Sequence, residues 1–410
     1  MIKEKLGRIN KNLHLIYILT DFINKGLGFF LIPYFTHTMT PLEFGEYEHL
    51  LLIFTFFQLI SWMSQNTYLI KEYGNGGPFF QTLFGGSIIV IPISILISLP
   101  FVFSGMELSV VLYMNFTVML GLVYSSYISK IQVDGNAKKY IVTQLACSLL
   151  NLSFSLLFVF LGYGGTGRFV GLTIGTNVVG IIIIFYFFNS KEIQINIENV
   201  KERFYFSLKL MPHNIVNGWL KDNIAKIVIL YIIADKVLLG MFGVVFSFSF
   251  SYNILMTSIN NALNRRIFHK DHNKNLKLFW FLRHIFFMIM IYIFTSPILY
   301  FLYGVVVDEQ YQKFSMLVFV FCFAFSINSN VTIISNYLIS KGRSAEVSKY
   351  SSISILLYVL GLLSITYFGI INIYIISLLY ILCTLIHLGV LLIKFRGKGN
   401  EISRRSIRVN

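Results

Sequence analysis

Residues 350–393 read YSSISILLYVLGLLSITYFGIINIYIISLLYILCTLIHLGVLLI, without one Asp, Glu, Lys or Arg. About 20 apolar residues at 1.5 Å rise cross a hydrocarbon core of about 30 Å, so this run is about twice too long for one helix. A turn around Phe368, Gly369 and Asn372 divides it into two spans. The same reading covers the uncharged runs His49–Ile70, Tyr73–Met106, Leu108–Ser129, Tyr140–Gly167, Phe169–Ser190, Val237–Asn264, His284–Val307 and Phe314–Ser340. Two further spans, about Asn12–Phe35 and Phe204–Ile233, have the length but carry charges. The expected fold class is an all-α integral membrane protein of about 12 transmembrane helices, in two six-helix lobes around a central polar, partly cationic cavity.

Composition and charge agree. Only 12% of the 410 residues are charged and 56% are hydrophobic, whereas soluble domains carry about 25% charged residues. With the amino terminus cytoplasmic, the basic residues outside the spans fall almost entirely inside, leaving Arg168, Lys236 and Lys313 outside. This places both termini in the cytoplasm. It also accounts for the net charge of +15, and makes the tail Lys394–Arg408 a topology signal and anionic-lipid contact rather than a nucleic-acid site. The basic start Met1–Lys11 resembles a signal-peptide n-region, but the span after it is too long and polar, and it is expected to stay uncleaved. Cys147, Cys322 and Cys383 all lie within spans and form no disulfide framework.

The chain reads as two copies of one unit. Gly45 and Phe44–Tyr47 after the first span are echoed by Gly240 and Phe242 after the seventh; Gly135 to Tyr140 before the fifth is echoed by Gly342 to Tyr350 before the eleventh. The domains are therefore 1–190, an N-terminal lobe; 191–203, a cytoplasmic linker; 204–395, a C-terminal lobe; and 396–410, a basic cytoplasmic tail. Parallel repeats of this kind hold substrate near the midplane between them.

Five ionisable side chains sit at bilayer depth: Asp21, Lys25, Lys221, Asp222 and Lys226. Each costs roughly 2.5–3.5 kcal/mol on insertion scales, so such residues face protein or water and mark function. At 100° per residue, His14, Tyr17, Asp21, Asn24, Lys25 and Gly28 share one face of span one. His213, Asn214, Asn217 and Lys221 share a face of span seven, with Asp222 and Lys226 on an adjoining one. Tyr17, Asn24, Lys25, His213, Asn214, Asn217, Lys221 and Lys226 are the candidate substrate-binding residues. Asp21 and Asp222 are coupling or ion-pair candidates, since Asp21–Lys25 and Asp222–Lys226 both have i,i+4 pairing geometry. Each pair reads equally as a structural salt bridge. Milder stripes, including Gln58, Trp62 and Gln65, Gln144 to Ser155, Ser249 to Asn264, and Ser326, Asn330 and Tyr337, read first as interhelical hydrogen-bond glue.

Catalytic signatures are missing. Gly162 to Arg168 is glycine-rich without the Lys-Ser/Thr of a P-loop and reads as a turn; there is no His-Glu-x-x-His, no paired-cysteine zinc spacing and no Gly-x-Ser-x-Gly. No metal or other cofactor is expected, with coupling to H+ or Na+ left open, and the chain reads as a non-enzyme.

Thr38-Met39-Thr40-Pro41-Leu42-Glu43-Phe44-Gly45-Glu46-Tyr47, Ser129-Lys130-Ile131-Gln132 leading to Gly135 and Tyr140, and Met211-Pro212-His213 together resemble the Wzx-type polysaccharide flippases of the multidrug/oligosaccharidyl-lipid/polysaccharide exporter superfamily. The chain departs from their acidic–basic dipeptide late in span seven, having Ala225-Lys226 with Asp222 one turn earlier. The resemblance implies movement of an undecaprenyl-pyrophosphate-linked oligosaccharide repeat unit from the cytoplasmic to the outer leaflet of a bacterial inner membrane, by alternating access, for O-antigen or capsule synthesis. It also implies a polysaccharide polymerase and a chain-length regulator as partners. Lysines in excess of acids suit an anionic substrate. A multidrug or organic-cation antiporter of the same fold is the alternative; a membrane polymerase or acyltransferase is a further one, which the short outward loops disfavour.

Overall fold

In a computed structural model of the chain, the described residues are 20, 23, 26–63, 65, 68–69, 73, 79–188, 197–213, 215, 219–268, 278–340, 343–370 and 372–406, most with their side chains. Every regular element among them is helical. In order these are α1 (Ile32–Thr38), α2 (Pro41–Trp62), α3 (Phe79–Phe103), α4 (Leu108–Val133), α5 (Ala137–Phe160), α6 (Gly164–Phe188), α7 (Ile197–His213) and α8 (Lys221–Val228). A π-helical turn, Ile229–Ile233, leads to α9 (Lys236–Phe268), α10 (Leu278–Val306), a 3-10 turn over Glu309–Phe314, α11 (Leu317–Ser340), α12 (Ser344–Tyr367) and α13 (Ile373–Ser406). Among the described residues, nine helices are long and apolar enough to cross a membrane.

Turn chemistry cuts the apolar runs where the sequence places the breaks. The long run 350–393 is divided after Tyr367: Gly369 takes φ +68°, and the Asn372 carboxamide oxygen accepts from Tyr374 N at 2.9 Å to open α13. Gly135 (φ +69°) separates α4 from α5, and Asn136 caps α5 by accepting from Lys139 N at 3.1 Å. Span seven stops at Ala234, which is left-handed at φ 57°, and Asp235 caps α9 by accepting from Leu238 N at 2.9 Å.

The chain forms two compact units. One contains Leu42–Trp219; the other contains Phe29–Pro41 together with the chain from Leu220 onward. Inside the first, the glycine run reads as more than a turn. Gly167, Gly171 and Gly175 recur every four residues on α6, and a Cβ at Gly171 or Gly175 would fall against the backbone of Ser155 or Cys147 on α5. Glycine here lets two helices approach at backbone distance, the small-residue packing that substitutes for the hydrophobic effect where lipid is the solvent. At the start of α6, Gly165 leaves no room for a side chain against the Glu43 carbonyl, so Glu43–Tyr47 seats on this glycine run. Arg168 is buried between the Phe44 and Tyr47 rings, 4.2 and 4.0 Å from their centroids.

The charged stretch between the halves also enters this core. Arg203, on α7, is 2% exposed; its Nε donates to the Gln65 carboxamide and its guanidinium fills the space a side chain at Gly86 would need. Gln65 in turn donates to Ser207 Oγ at 3.2 Å, and Trp219 Nε1 donates to Thr55 Oγ1 at 2.9 Å. Inside the second unit, Phe29 packs on Phe248 with ring centroids 4.9 Å apart, and Tyr311 Oη donates to the Met39 carbonyl at 2.9 Å. Helix α11 is the centre of this unit: 72% of its spanning window is buried, against 11% for α10.

The glycine contact yields a test. Gly171→Val forces α5 and α6 apart and is expected to destabilise the protein by ~1–3 kcal/mol or more, read as a lower thermal midpoint and a smaller monodisperse fraction in detergent. Gly304→Ala, where the added methyl meets nothing within 4 Å, is expected to match the wild type. Equal midpoints for the two variants would mean that the helices do not meet at Gly171.

Candidate functional site

The second half of span seven builds the site. Ile215, Trp219 and Leu220 are π-helical, α8 lasts only from Lys221 to Val228, and the next five residues are again π-helical. A π turn bonds i to i+5 and holds more residues than the 3.6 of an α turn, so side-chain directions shift at each insertion. A wheel drawn at 100° therefore does not carry across from the residues before Ile215 to Lys221. Within α8 it holds, and Lys221 and Asp222, on adjoining faces, both line one pocket within the second unit, together with Ala225, Phe242, Phe246, Phe321, Tyr358, Ser377 and Tyr380.

Lys221 is held from α11: its Nζ donates to Asn328 Oδ1 at 2.5 Å and lies 5.9 Å from the Tyr380 ring centre. Asp222 Oδ1 accepts from Tyr380 Oη at a long 3.4 Å. Lys226, one turn beyond Asp222, is 7% exposed with its Nζ 5.2 Å from the Phe246 ring centre. The aromatic lining comes in two groups: Phe242 stacks on Phe246 at 6.1 Å and Phe321 meets Phe246 edge-on at 5.2 Å, while Tyr358 lies 5.8 Å from Tyr380. Ser377 is 1% exposed and its hydroxyl has no hydrogen-bond partner.

Of the candidate residues, Lys221, Asp222 and Lys226 are thus brought to one region, with Lys226 behind the Phe246 wall. His213 ends α7, and its side chain lies outside the described residues. Tyr17, Asp21, Asn24, Lys25, Asn214 and Asn217 lie outside them altogether. Sequence reasoning missed Asn328, Tyr358, Ser377, Tyr380 and the three phenylalanines, which sit among many similar residues in spans without charge. The milder stripes serve packing: Asn151 Oδ1 accepts from Gly175 N, Asn260 donates to the Ser329 carbonyl, and Asn330 meets His284 at 2.8 Å.

No family model and no curated protein sequence matches the chain. Solved structures do. The chain superposes on the lipid II flippase MurJ in its inward closed conformation with a TM-score of 0.71, at 14% identity over 93% of this chain and 87% of that one. The Vibrio cholerae MATE transporter VcmN gives a TM-score of 0.62 at 13% identity over 98% of both chains. The MATE multidrug transporter DinF-BH gives 0.60 at 14% identity over 95% of this chain and 96% of that one. The chain has the fold of the MOP-superfamily transporters. It is an all-α, multi-pass membrane protein of about 12 spans.

Breaking the clasp on Lys221 tests the geometry. Asn328→Leu strands a buried ammonium and is expected to cost ~1.5–3 kcal/mol, read as a lower thermal midpoint. Adding Lys221→Met is expected to recover most of the loss, because both partners are then apolar. A double variant as unstable as the sum of the single ones would show that the two side chains are not coupled.

Proposed function

We propose that the protein is a flippase that carries an undecaprenyl-pyrophosphate-linked oligosaccharide repeat unit from the cytoplasmic to the outer leaflet by alternating access, for O-antigen or capsule synthesis. The observation that carries this reading is the fold shared with a lipid II flippase over 93% of the chain. The Wzx-like motifs around Pro41–Tyr47 and Met211–His213 support it independently. So does the balance of charge in the two ionisable spans, where Lys25, Lys221 and Lys226 outnumber Asp21 and Asp222. That excess suits a pyrophosphate, for which lysine is a capable point-charge partner. The placing of basic residues supports a bacterial inner-membrane location with both termini cytoplasmic; a polymerase and a chain-length regulator are the proposed partners.

A second reading, a multidrug antiporter, draws on Asp222 within an aromatic-walled pocket, since a carboxylate beside ring faces suits organic cations. Lys221 beside that carboxylate weighs against it.

Deletion of the gene in its host separates the two. Loss of surface polysaccharide, with lipid-linked repeat units accumulating on the cytoplasmic leaflet and drug tolerance unchanged, is the expected outcome. Unchanged polysaccharide with raised sensitivity to cationic drugs would establish the antiporter instead. Complementation with Lys221→Gln at equal membrane level is expected to lower export at least tenfold, about 1.4 kcal/mol of lost interaction, while Lys221→Arg retains part of it.

A further inference from the structure

Three of the side chains that line the small space beside Lys221 have bonding capacity to spare. Lys221 Nζ has three donors and gives one to Asn328. Asp222 has about four acceptor positions, and Tyr380 fills one of them at 3.4 Å. Ser377 offers a donor and an acceptor, uses neither within the protein, and is 1% exposed. A buried hydroxyl without a partner is costly, and where such a residue lines a cavity it marks the place of something that bonds to it.

The size of the space narrows what that is. Its volume is about 10 Å³. A water molecule needs ~10–15 Å³ and two to four polar partners, so the space admits one water, and every organic ligand is too large for it. Cavities that stay dry are apolar, whereas this lining puts an ammonium, a carboxylate and a hydroxyl alongside Phe242, Phe246 and Phe321. Size alone also admits a bare metal ion. Charge disfavours it, because a hard cation gathers about six oxygens with no ammonium among them, and here Lys221 sits beside Asp222 and supplies the positive charge from within the chain.

We propose that the pocket among Lys221, Asp222, Ser377 and Tyr380 is a binding site for a single water molecule, which accepts from the Lys221 ammonium and the Ser377 hydroxyl and donates to the Asp222 carboxylate. The bridge joins two charges that leave α8 on adjoining faces, without requiring them to touch, and ties both to α13 through Ser377. With its counter-charge built into the chain, Asp222 takes no Na+ from solution, so sodium coupling, which the sequence leaves open, does not run through this site. The assignment is independent of what the protein transports.

The wild-type full chain in detergent gives the first test. A density map that resolves ordered water is expected to show one peak in the pocket, about 2.7–3.2 Å from Lys221 Nζ, an Asp222 oxygen and Ser377 Oγ. An empty pocket overturns the proposal. The second test turns on sign. Ser377→Val fills the space and removes the stranded hydroxyl, so in a dry pocket it would raise the thermal midpoint; with a water bridging the charges it is expected to lower the midpoint by roughly 2–4 °C or more. Ser377→Ala, which leaves room for the water, is expected to lower it by less, and Ser364→Ala on the exposed face of α12 is expected to match the wild type. A midpoint for Ser377→Val at or above that of Ser377→Ala overturns the bridge. The third test exchanges choline chloride for NaCl at equal ionic strength, and an unchanged wild-type midpoint is expected. A rise specific to Na+ that disappears in Asp222→Asn would show that the pocket binds the ion and overturn the assignment to water.

Discussion

Hydrocarbon offers no hydrogen bonds, so every polar group carried into it must find its partner within the chain. That constraint organises this protein at each scale. It makes every described element a helix, and it gives Asn151, Asn260, Ser326 and Ser354 partners on neighbouring helices. Most tellingly, it fixes the region around Lys221, where an ammonium, a carboxylate and a second ammonium occur within six residues of one span. Lys221 is met by Asn328 from α11, Asp222 by Tyr380 from α13, and Lys226 by the face of Phe246 from α9. Three neighbouring helices are thereby drawn to one short stretch of span seven, and the pocket is the space left between their contributions.

The same constraint explains the two kinds of close helix contact. Where polar atoms meet, the helices are joined by directed bonds, as between Asn260 and Ser329 or His284 and Asn330. Where none are available, side chains are removed altogether. Gly171 and Gly175 bring α6 against α5 by absence, and dispersion over two facing backbones replaces the hydrophobic effect that lipid does not supply.

Much of the fold was legible because its signals are one-dimensional. Span length, the glycine at 369 and the cap at Asn372 act over a few residues, and each could be placed by counting. The pocket was half legible. Lys221, Asp222 and Lys226 announced themselves by cost, as charges in an apolar run. Their direction relative to the residues before Ile215 did not, because a wheel drawn at a constant angle takes no account of the π-helical residues at 215, 219 and 220. Their partners were beyond reach for a different reason. Tyr380 is one of 24 tyrosines and Phe246 one of 41 phenylalanines, and nothing local distinguishes the ones that three-dimensional packing brings to a charge. Arg203 shows the converse: nothing in the polar stretch around it marks it out, yet Gln65 and the bare backbone at Gly86 receive it into the core of the first unit.

The segment Phe29–Pro41 belongs to the unit whose remaining chain begins at Leu220. Its anchor, the bond from Tyr311 to Met39, spans 272 positions. Synthesis proceeds at about 5–20 residues per second, so this early segment waits roughly 15–55 s after its own translation before its partner exists. Throughout that interval all of Leu42–Trp219 is made and free to pack. The order of assembly is therefore written into the connectivity: the unit that starts second in sequence is the one that must reach back to retrieve its first piece, and a ribosome that pauses between Trp219 and Tyr311 prolongs the time that piece spends without its destination.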